Sequence, residues 1–70
     1  MSFKENINTA ADRIFEFVKE KQEVSSWQIK INLHLSASVM YMALGQLAEQ
    51  GKITLEADGI NYQVKIASAQ

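Results

Sequence analysis

The sequence contains no cysteine, and this absence excludes both disulfide bonds and metal sites built from thiolates. No apolar run is long enough to span a bilayer. The start, Met1-Ser2-Phe3-Lys4-Glu5-Asn6, lacks the apolar segment of a secretory signal peptide. We therefore expect a soluble, intracellular protein, cytoplasmic in location and without a membrane partner.

Side chains that could carry out chemistry are also scarce. His34 is the only histidine, and it falls in a turn between two predicted helices, where a surface or capping role is more common than a catalytic one. The three glycines are too dispersed to form a loop that cradles phosphate. Asp12, Glu16 and Glu20 recur every four residues, which is more simply a solvated helix stripe than a cation site. We predict no enzymatic activity, no cofactor and no metal ion.

The chain has no excess of positive charge, since seven Lys and Arg residues stand against eight Asp and Glu residues. Its 70 residues and 47% hydrophobic content predict one small folded domain over residues 1–70, with 67–70 as a frayed end. A core of this size leaves on the order of 3–5 kcal/mol of net stability, which makes oligomerisation a reasonable expectation.

Apolar residues at helical intervals predict an amphipathic first helix that ends near Lys21. Ser2 and Glu5 have the spacing of a capping box, and Asn6 offers an alternative, later start. The residues on the apolar side of this helix are Ile7, Ala11, Ile14 and Val18, flanked by Ala10, Phe15 and Phe17.

The segment after the first helix predicts a short strand and a second helix. Glu23-Val24-Ser25 is too short for a helix and can lie extended as a single edge strand. Ser25 and Gln28 repeat the capping-box spacing and open a short helix that runs through Trp27 and Ile31. Trp27 has two interpretations, either a core anchor of this helix, which is the more common role and the one we expect, or an exposed contact residue.

A third helix follows the turn Leu33-His34-Leu35, with Ser36 as its N-cap. Gly51 stands where a left-handed residue would end the helix. At 100° per residue, the core side holds Val39, Met40, Ala43, Leu44 and Leu47. The residues that point outward are Ser38, Tyr41, Met42, Gly45 and Glu49.

Two runs in which apolar and polar residues alternate predict a C-terminal β-hairpin. Ala57-Asp58-Gly59 separates the runs, with Asp-Gly supplying the turn. We expect the apolar side of the hairpin to cover the helices. Its members are Ile53 and Leu55 in the first run and Ile60, Tyr62, Val64 and Ile66 in the second.

The order helix, short strand, helix, turn, helix, hairpin is that of a winged helix-turn-helix domain, an α+β fold. Residues 35–53, LSASVMYMALGQLAEQGKI, resemble a small family of bacterial winged helix-turn-helix proteins known as a domain of unknown function. Ala10-Ala11, Phe15-Glu16-Phe17 and Trp27 fit the same family, so the likeness covers nearly the whole chain. The resemblance implies a DNA-binding or regulatory role and offers no catalytic residues to carry over.

The first hypothesis, which the analogy of fold favours, is that the domain binds double-stranded DNA as a regulator of transcription. The groove would then be met by Ser36, Ser38, Tyr41, Met42 and Gln46, and the phosphates by Lys30, Lys52 and Lys65. The outward side of the third helix carries no Lys or Arg, and the tip of the hairpin offers Glu56 and Asp58. The charges therefore do not favour this hypothesis for a monomer.

The second hypothesis is a protein-interaction module that uses the same scaffold without binding DNA by itself. Tyr41 and Met42 point outward, aromatic and Met side chains are enriched at interfaces, and Gly45 would let another backbone approach. The alternative is that Tyr41 and Met42 pack under the hairpin or the second helix. A homodimer through the third helix or the hairpin edge would double the number of lysines and could rebuild a basic surface.

Overall fold

A computed structural model describes the backbone of residues 3–67 and the side chains of residues 7–67. Ser2, in the predicted first capping box, lies outside these residues, as do residues 68–70 of the predicted frayed end. The predicted order of elements is confirmed, including the short strand before the second helix. The elements are α1 (Phe3–Lys21), β1 (Glu23–Ser25), α2 (Ser26–Leu33), α3 (Ala37–Glu49), β2 (Ile53–Asp58) and β3 (Asn61–Ile66).

Two serine caps fix where α2 and α3 begin, as predicted. The Ser25 hydroxyl accepts the Gln28 N–H at 3.1 Å, while the Gln28 side-chain oxygen accepts the Ser25 N–H at 2.9 Å. The Ser36 hydroxyl accepts the Val39 N–H at 3.3 Å. Each bond satisfies a backbone donor that has no partner inside the helix. The caps therefore fix the first residue of α2 and of α3.

Each helix is followed by a residue in the left-handed conformation, which reverses the chain. These residues are Gln22 (φ 73°), His34 (φ 56°) and Gly51 (φ 75°). Gly51 is the predicted end of α3, and its N–H donates to the Ala48 carbonyl at 3.0 Å. At Gln22 the side-chain amide donates to the Lys19 carbonyl at 2.7 Å and caps the end of α1.

The three strands form an antiparallel sheet in the order β1-β3-β2, so the last strand in the chain is the central one. Val64 lies opposite both Val24 and Leu55, and these three side chains lie on the sheet face that packs on the helices. Beyond the end of β1, the Ser26 hydroxyl accepts the Tyr62 N–H at 3.1 Å and continues the bonding of β3 toward α2.

The hairpin turn lies one residue further along the chain than predicted. Asp58 pairs with Asn61, which leaves Gly59 and Ile60 as a two-residue turn. Gly59 has φ 67°, and a glycine with positive φ at the first of two turn residues is typical of a tight hairpin. The prediction that Ile60 begins the apolar side of the second strand was wrong, because Ile60 occupies the turn and is 93% exposed.

The core lies between α1, α3 and the inner face of the sheet. Its buried hydrophobic residues are Ala10, Ala11, Ile14, Val18, Val24, Ile29, Met40, Ala43, Leu44, Leu47, Ile53 and Val64. The predicted core sides of α1 and α3 are therefore confirmed, although Ile7 and Val39 are only partly buried.

Trp27 is not a core residue, and the prediction that it anchors α2 was wrong. Its side chain is 58% exposed, whereas Ser26 and Ile29 are buried. A small serine fits at the junction of α2 and β3 because its hydroxyl bonds the Tyr62 N–H. Once Ser26 and Ile29 face inward, the helical period turns Trp27 toward solvent.

Candidate interaction surface on helix α3

The outward side of α3 is formed by the predicted residues. Ser38, Tyr41, Met42, Gly45 and Glu49 are all exposed, and we refer to them as the α3 face. Tyr41 is 41% exposed and Met42 is 50% exposed, so neither is fully covered by the hairpin or by α2. Since α3 contains no Lys or Arg, the only ionised side chain on this face is the acidic Glu49.

A cleft lies between α3 and the hairpin, next to the α3 face. Its volume is about 340 Å³, and its walls come from Tyr41, Leu44, Gly45, Leu55 and Tyr62, which together form the α3–hairpin cleft. The Tyr41 and Tyr62 rings meet edge to face, with centroids 6.0 Å apart and an interplanar angle of 73°. The walls are mainly apolar, and the two tyrosine hydroxyls are the polar groups best suited to orient a bound side chain.

Gly45 contributes open space at the centre of the α3 face. Apart from its chain neighbours and the nearby backbone of α3, a Cβ atom at this position would meet no heavy atom within 4 Å. The glycine is therefore not required by packing inside the domain. It leaves the backbone of α3 accessible between Tyr41 and Glu49.

Ser36, Ser38 and Gln46, which were predicted to contact DNA, differ in their exposure and in their contacts. Ser36 is exposed and acts as the N-cap, and Ser38 is exposed in the first turn. Gln46 is only partly exposed, and its amide donates to the Asn8 side-chain oxygen at 3.1 Å. The structure therefore directs Gln46 toward α1, away from the α3 face.

The three lysines predicted to contact phosphate do not gather beside the α3 face. Lys30 is partly buried in the last turn of α2. The Lys52 ammonium lies over the Phe15 ring of α1, 5.3 Å from its centroid. Lys65 pairs with Glu56 at 3.8 Å on the sheet face opposite the cleft, because these positions alternate with the inward Leu55 and Val64.

Two of the cations on α1, Lys19 and Arg13, are engaged by local partners. Lys19 lies 3.3 Å from Glu16, and Arg13 donates to the Leu33 carbonyl at 3.1 Å. Because α1 packs against the opposite side of α3 from the α3 face, these charges lie away from the surface that a groove would meet. The positive charges of the described residues are thus spread around the domain.

Sequence reasoning missed the contributions of Leu55 and Tyr62 to the lining of the cleft. The period-two pattern correctly placed Leu55 and Tyr62 on the inner face of the hairpin. It could not show how much of the inner face is covered in the folded domain, where Tyr62 remains 40% exposed. Only the three-dimensional fit between α3 and the hairpin determines that difference.

Three helices followed directly by a hairpin, with a tight turn between the second and third helices, define a winged helix-turn-helix domain. A family model described as "Winged helix-turn-helix domain (DUF2582)" matches residues 1–66. The chain belongs to this family, whose function is unknown. Neither the curated proteins nor the solved structures contain a match to the chain. Among the described residues, every helix is too short or too polar to cross a membrane.

Proposed function

We propose that this protein is a non-enzymatic regulatory module that acts by binding another protein through the α3 face and the α3–hairpin cleft. The observation that carries the proposal is the pairing of exposed Tyr41 and Met42 with an adjacent apolar cleft. Exposed aromatic and Met side chains beside a concave apolar surface are typical of protein-binding sites. The α3 face, which in many winged helix proteins binds DNA, here has the composition of a protein interface.

The distribution of charge supports the same proposal. Non-specific DNA binding depends on cations that neutralise phosphates, and effective binders make on the order of 6–10 such contacts. The chain has seven Lys and Arg residues in total, and α3 has none. The hairpin end presents Glu56 and Asp58, which phosphates would repel. A protein ligand meets no such penalty.

The shape of the surface suits a helix or loop that inserts an apolar side chain. The cleft is lined by the apolar side chains of Leu44 and Leu55 and by the Tyr41 and Tyr62 residues, whose rings meet edge to face. Gly45 allows the backbone of the ligand to come close to α3, since no atom fills the position of its missing side chain. A partner with one aromatic or branched aliphatic anchor would fill this cleft.

DNA binding is the second candidate function, and one feature favours it. The first turn of α3 is exposed, with Ser38 pointing outward and Ser36 at the N-cap. Helix N-termini carry partial positive charge and commonly contact phosphate in DNA complexes. A complex that supplies further cations, whether from a second copy or from a larger assembly, could complete such a site.

Site-specific photocrosslinking tests the proposal directly. A benzophenone amino acid replaces Met42 in the protein expressed in its own cells, and Asp12 on the exposed side of α1 serves as the control position. We expect protein adducts at position 42 that are absent at position 12 and disappear when Tyr41→Ala is introduced. Adducts that resist protease and are removed by nuclease would contradict the proposal and support DNA binding.

A further inference from the structure

The strand order leaves β2 at the edge of the sheet. The Ala67 N–H donates to the Lys52 carbonyl at 3.1 Å, which sets the alternation of bonds between β2 and β3. In an antiparallel pair every second residue bonds the neighbouring strand. The backbone groups of Ile53, Leu55 and Ala57 therefore point away from β3, and we refer to them as the β2 edge. Within residues 3–67 no other strand pairs with this edge.

The charges along β2 are arranged in a way that suits pairing with itself. Lys52 immediately precedes the strand, and Glu56 and Asp58 stand toward its end. When two copies of such a strand run antiparallel, the basic start of one lies beside the acidic end of the other. Parallel pairing in register would instead place like charges side by side.

We infer that a second copy of this chain binds at the β2 edge and forms an antiparallel β2–β2 pair, which joins the two three-stranded sheets into one. This inference stands apart from the proposed function, because a dimer of this kind is compatible with either a protein or DNA as the ligand of α3.

The outward backbone groups and the charges together select one register. With Leu55 on the two-fold axis, Leu55 pairs with its counterpart and Ile53 pairs with Ala57 of the second copy, so all outward backbone groups are bonded. The same register places Lys52 of each copy opposite Asp58 of the other copy, which gives two ion pairs. A shift of two residues toward the hairpin turn would place Glu56 opposite its own counterpart, which like-charge repulsion disfavours.

The dimer would also cover apolar surface that the monomer leaves open. The two-fold axis of an antiparallel pair is perpendicular to the sheet, so the inner faces of both copies lie on the same side. The half-buried Leu55 then meets its counterpart, and the two α3–hairpin clefts lie on one continuous face. Covering an open strand edge also removes a site at which unrelated strands could pair.

To form the ion pair with Asp58 of the second copy, the Lys52 ammonium must leave its present contact. The side chain is exposed, and its ammonium lies over the Phe15 ring, 5.3 Å from the centroid. This contact is of the weak, solvent-exposed kind that a flexible lysine can exchange for an ion pair. Asp58 is exposed at the end of β2.

Sedimentation equilibrium of the 70-residue chain, from about 10 µM to about 1 mM, tests the inference over the range of weak to moderate association. We expect the mass to rise toward twice the 7.9 kDa of the monomer. Lys52→Glu and Asp58→Lys should each weaken association roughly ten-fold, and the double variant should restore it, because each single change creates two like-charge pairs. Lys21→Glu at the end of α1 is the matched control for charge reversal and should have no effect.

A backbone variant provides an independent readout. Ala57→Pro removes an N–H that points to the open edge, so the monomer keeps its β2–β3 bonds while the dimer loses two. We expect Ala57→Pro to remain monomeric and Ala57→Val, which keeps the N–H, to associate. A wild-type protein that stays monomeric at about 1 mM overturns the inference, as does an Ala57→Pro variant that is folded by circular dichroism and still associates. Failure of the double charge reversal to restore association overturns the proposed register.

Discussion

Gly45 is the residue at which stability and binding can be separated. Apart from its chain neighbours and the nearby backbone of α3, an added methyl group would meet no heavy atom within 4 Å, and alanine is a better helix former than glycine. We expect Gly45→Ala to raise the free energy of unfolding by about 0.5–1 kcal/mol in urea denaturation. The same change should weaken the crosslinking of a partner at position 42, because the methyl group fills the space left for its backbone. A variant that is less stable than the wild type would show that Gly45 is needed by the fold.

Single residues also mark where prediction from the sequence succeeds and where it fails. The outward position of Tyr41 and Met42 could be predicted because the helical period fixes the direction of each side chain once the core side is known. Trp27 was assigned to the core because of its size, yet the smaller Ser26 takes the buried position. The Ser26 hydroxyl accepts the N–H of Tyr62, which lies 36 residues further along the chain, and this bond favours Ser26 at the buried position. A pattern of neighbouring residues could not predict so distant a contact.

At the scale of elements, the join between α2 and β3 depends on one buried hydroxyl. The Ser26 side chain is fully buried and accepts the Tyr62 N–H, a backbone group that has no partner on β1 because that strand has ended. We expect Ser26→Ala to lower the free energy of unfolding by about 1–3 kcal/mol, the usual cost of leaving a buried donor without an acceptor.

The control for this change is Ser38→Ala, an exposed serine near the start of another helix, which should alter the free energy of unfolding by less than about 0.5 kcal/mol. Amide hydrogen exchange at Tyr62 gives a second readout, since the amide should exchange faster in Ser26→Ala. Equal stability of the two variants would mean that solvent replaces the hydroxyl.

Element boundaries could be predicted where a side chain marks them. The capping box of Ser25 and Gln28 and the cap of Ser36 are short-range features, so their spacing was sufficient to locate the starts of α2 and α3. The hairpin turn was misplaced because Asp-Gly and Gly-Ile both fit a two-residue turn at this point in the sequence. Asp58 pairs with Asn61 across the hairpin, so the turn residues are Gly59 and Ile60.

For the whole molecule, the distribution of charge leads to a prediction about DNA. We expect a mixed-sequence duplex to cause no amide shifts on the α3 face at about 50 mM salt, a condition that favours electrostatic binding. The double change Lys30→Gln and Lys65→Gln, which avoids the β2 edge, should therefore leave the titration unaltered. Shifts on α3 and the hairpin that disappear at about 200 mM salt and in this double variant would establish DNA binding instead.

The architecture of the whole molecule was predictable because hydrophobic spacing, caps and the Gly51 junction agree with one another. The kind of ligand was not predictable from the sequence, because ligand binding depends on which side chains remain exposed once the elements have packed. The α3–hairpin cleft joins Leu44 and Tyr62 from separate elements, and its depth depends on how the hairpin lies across α3. No spacing along the chain contains that information.

The central position of β3 also determines when the strands can pair during synthesis. Each strand pairing in the described sheet involves β3, and Glu23 finds its partner Lys65 only after residues 24–64 have been made. The helices can form as the chain leaves the ribosome, but β1 and β2 have nothing to pair with until residues 61–66 emerge. Neither strand pairing can therefore form before β3 is made, and until then the apolar side chains of β2 are exposed to aggregation or to early capture by a chaperone.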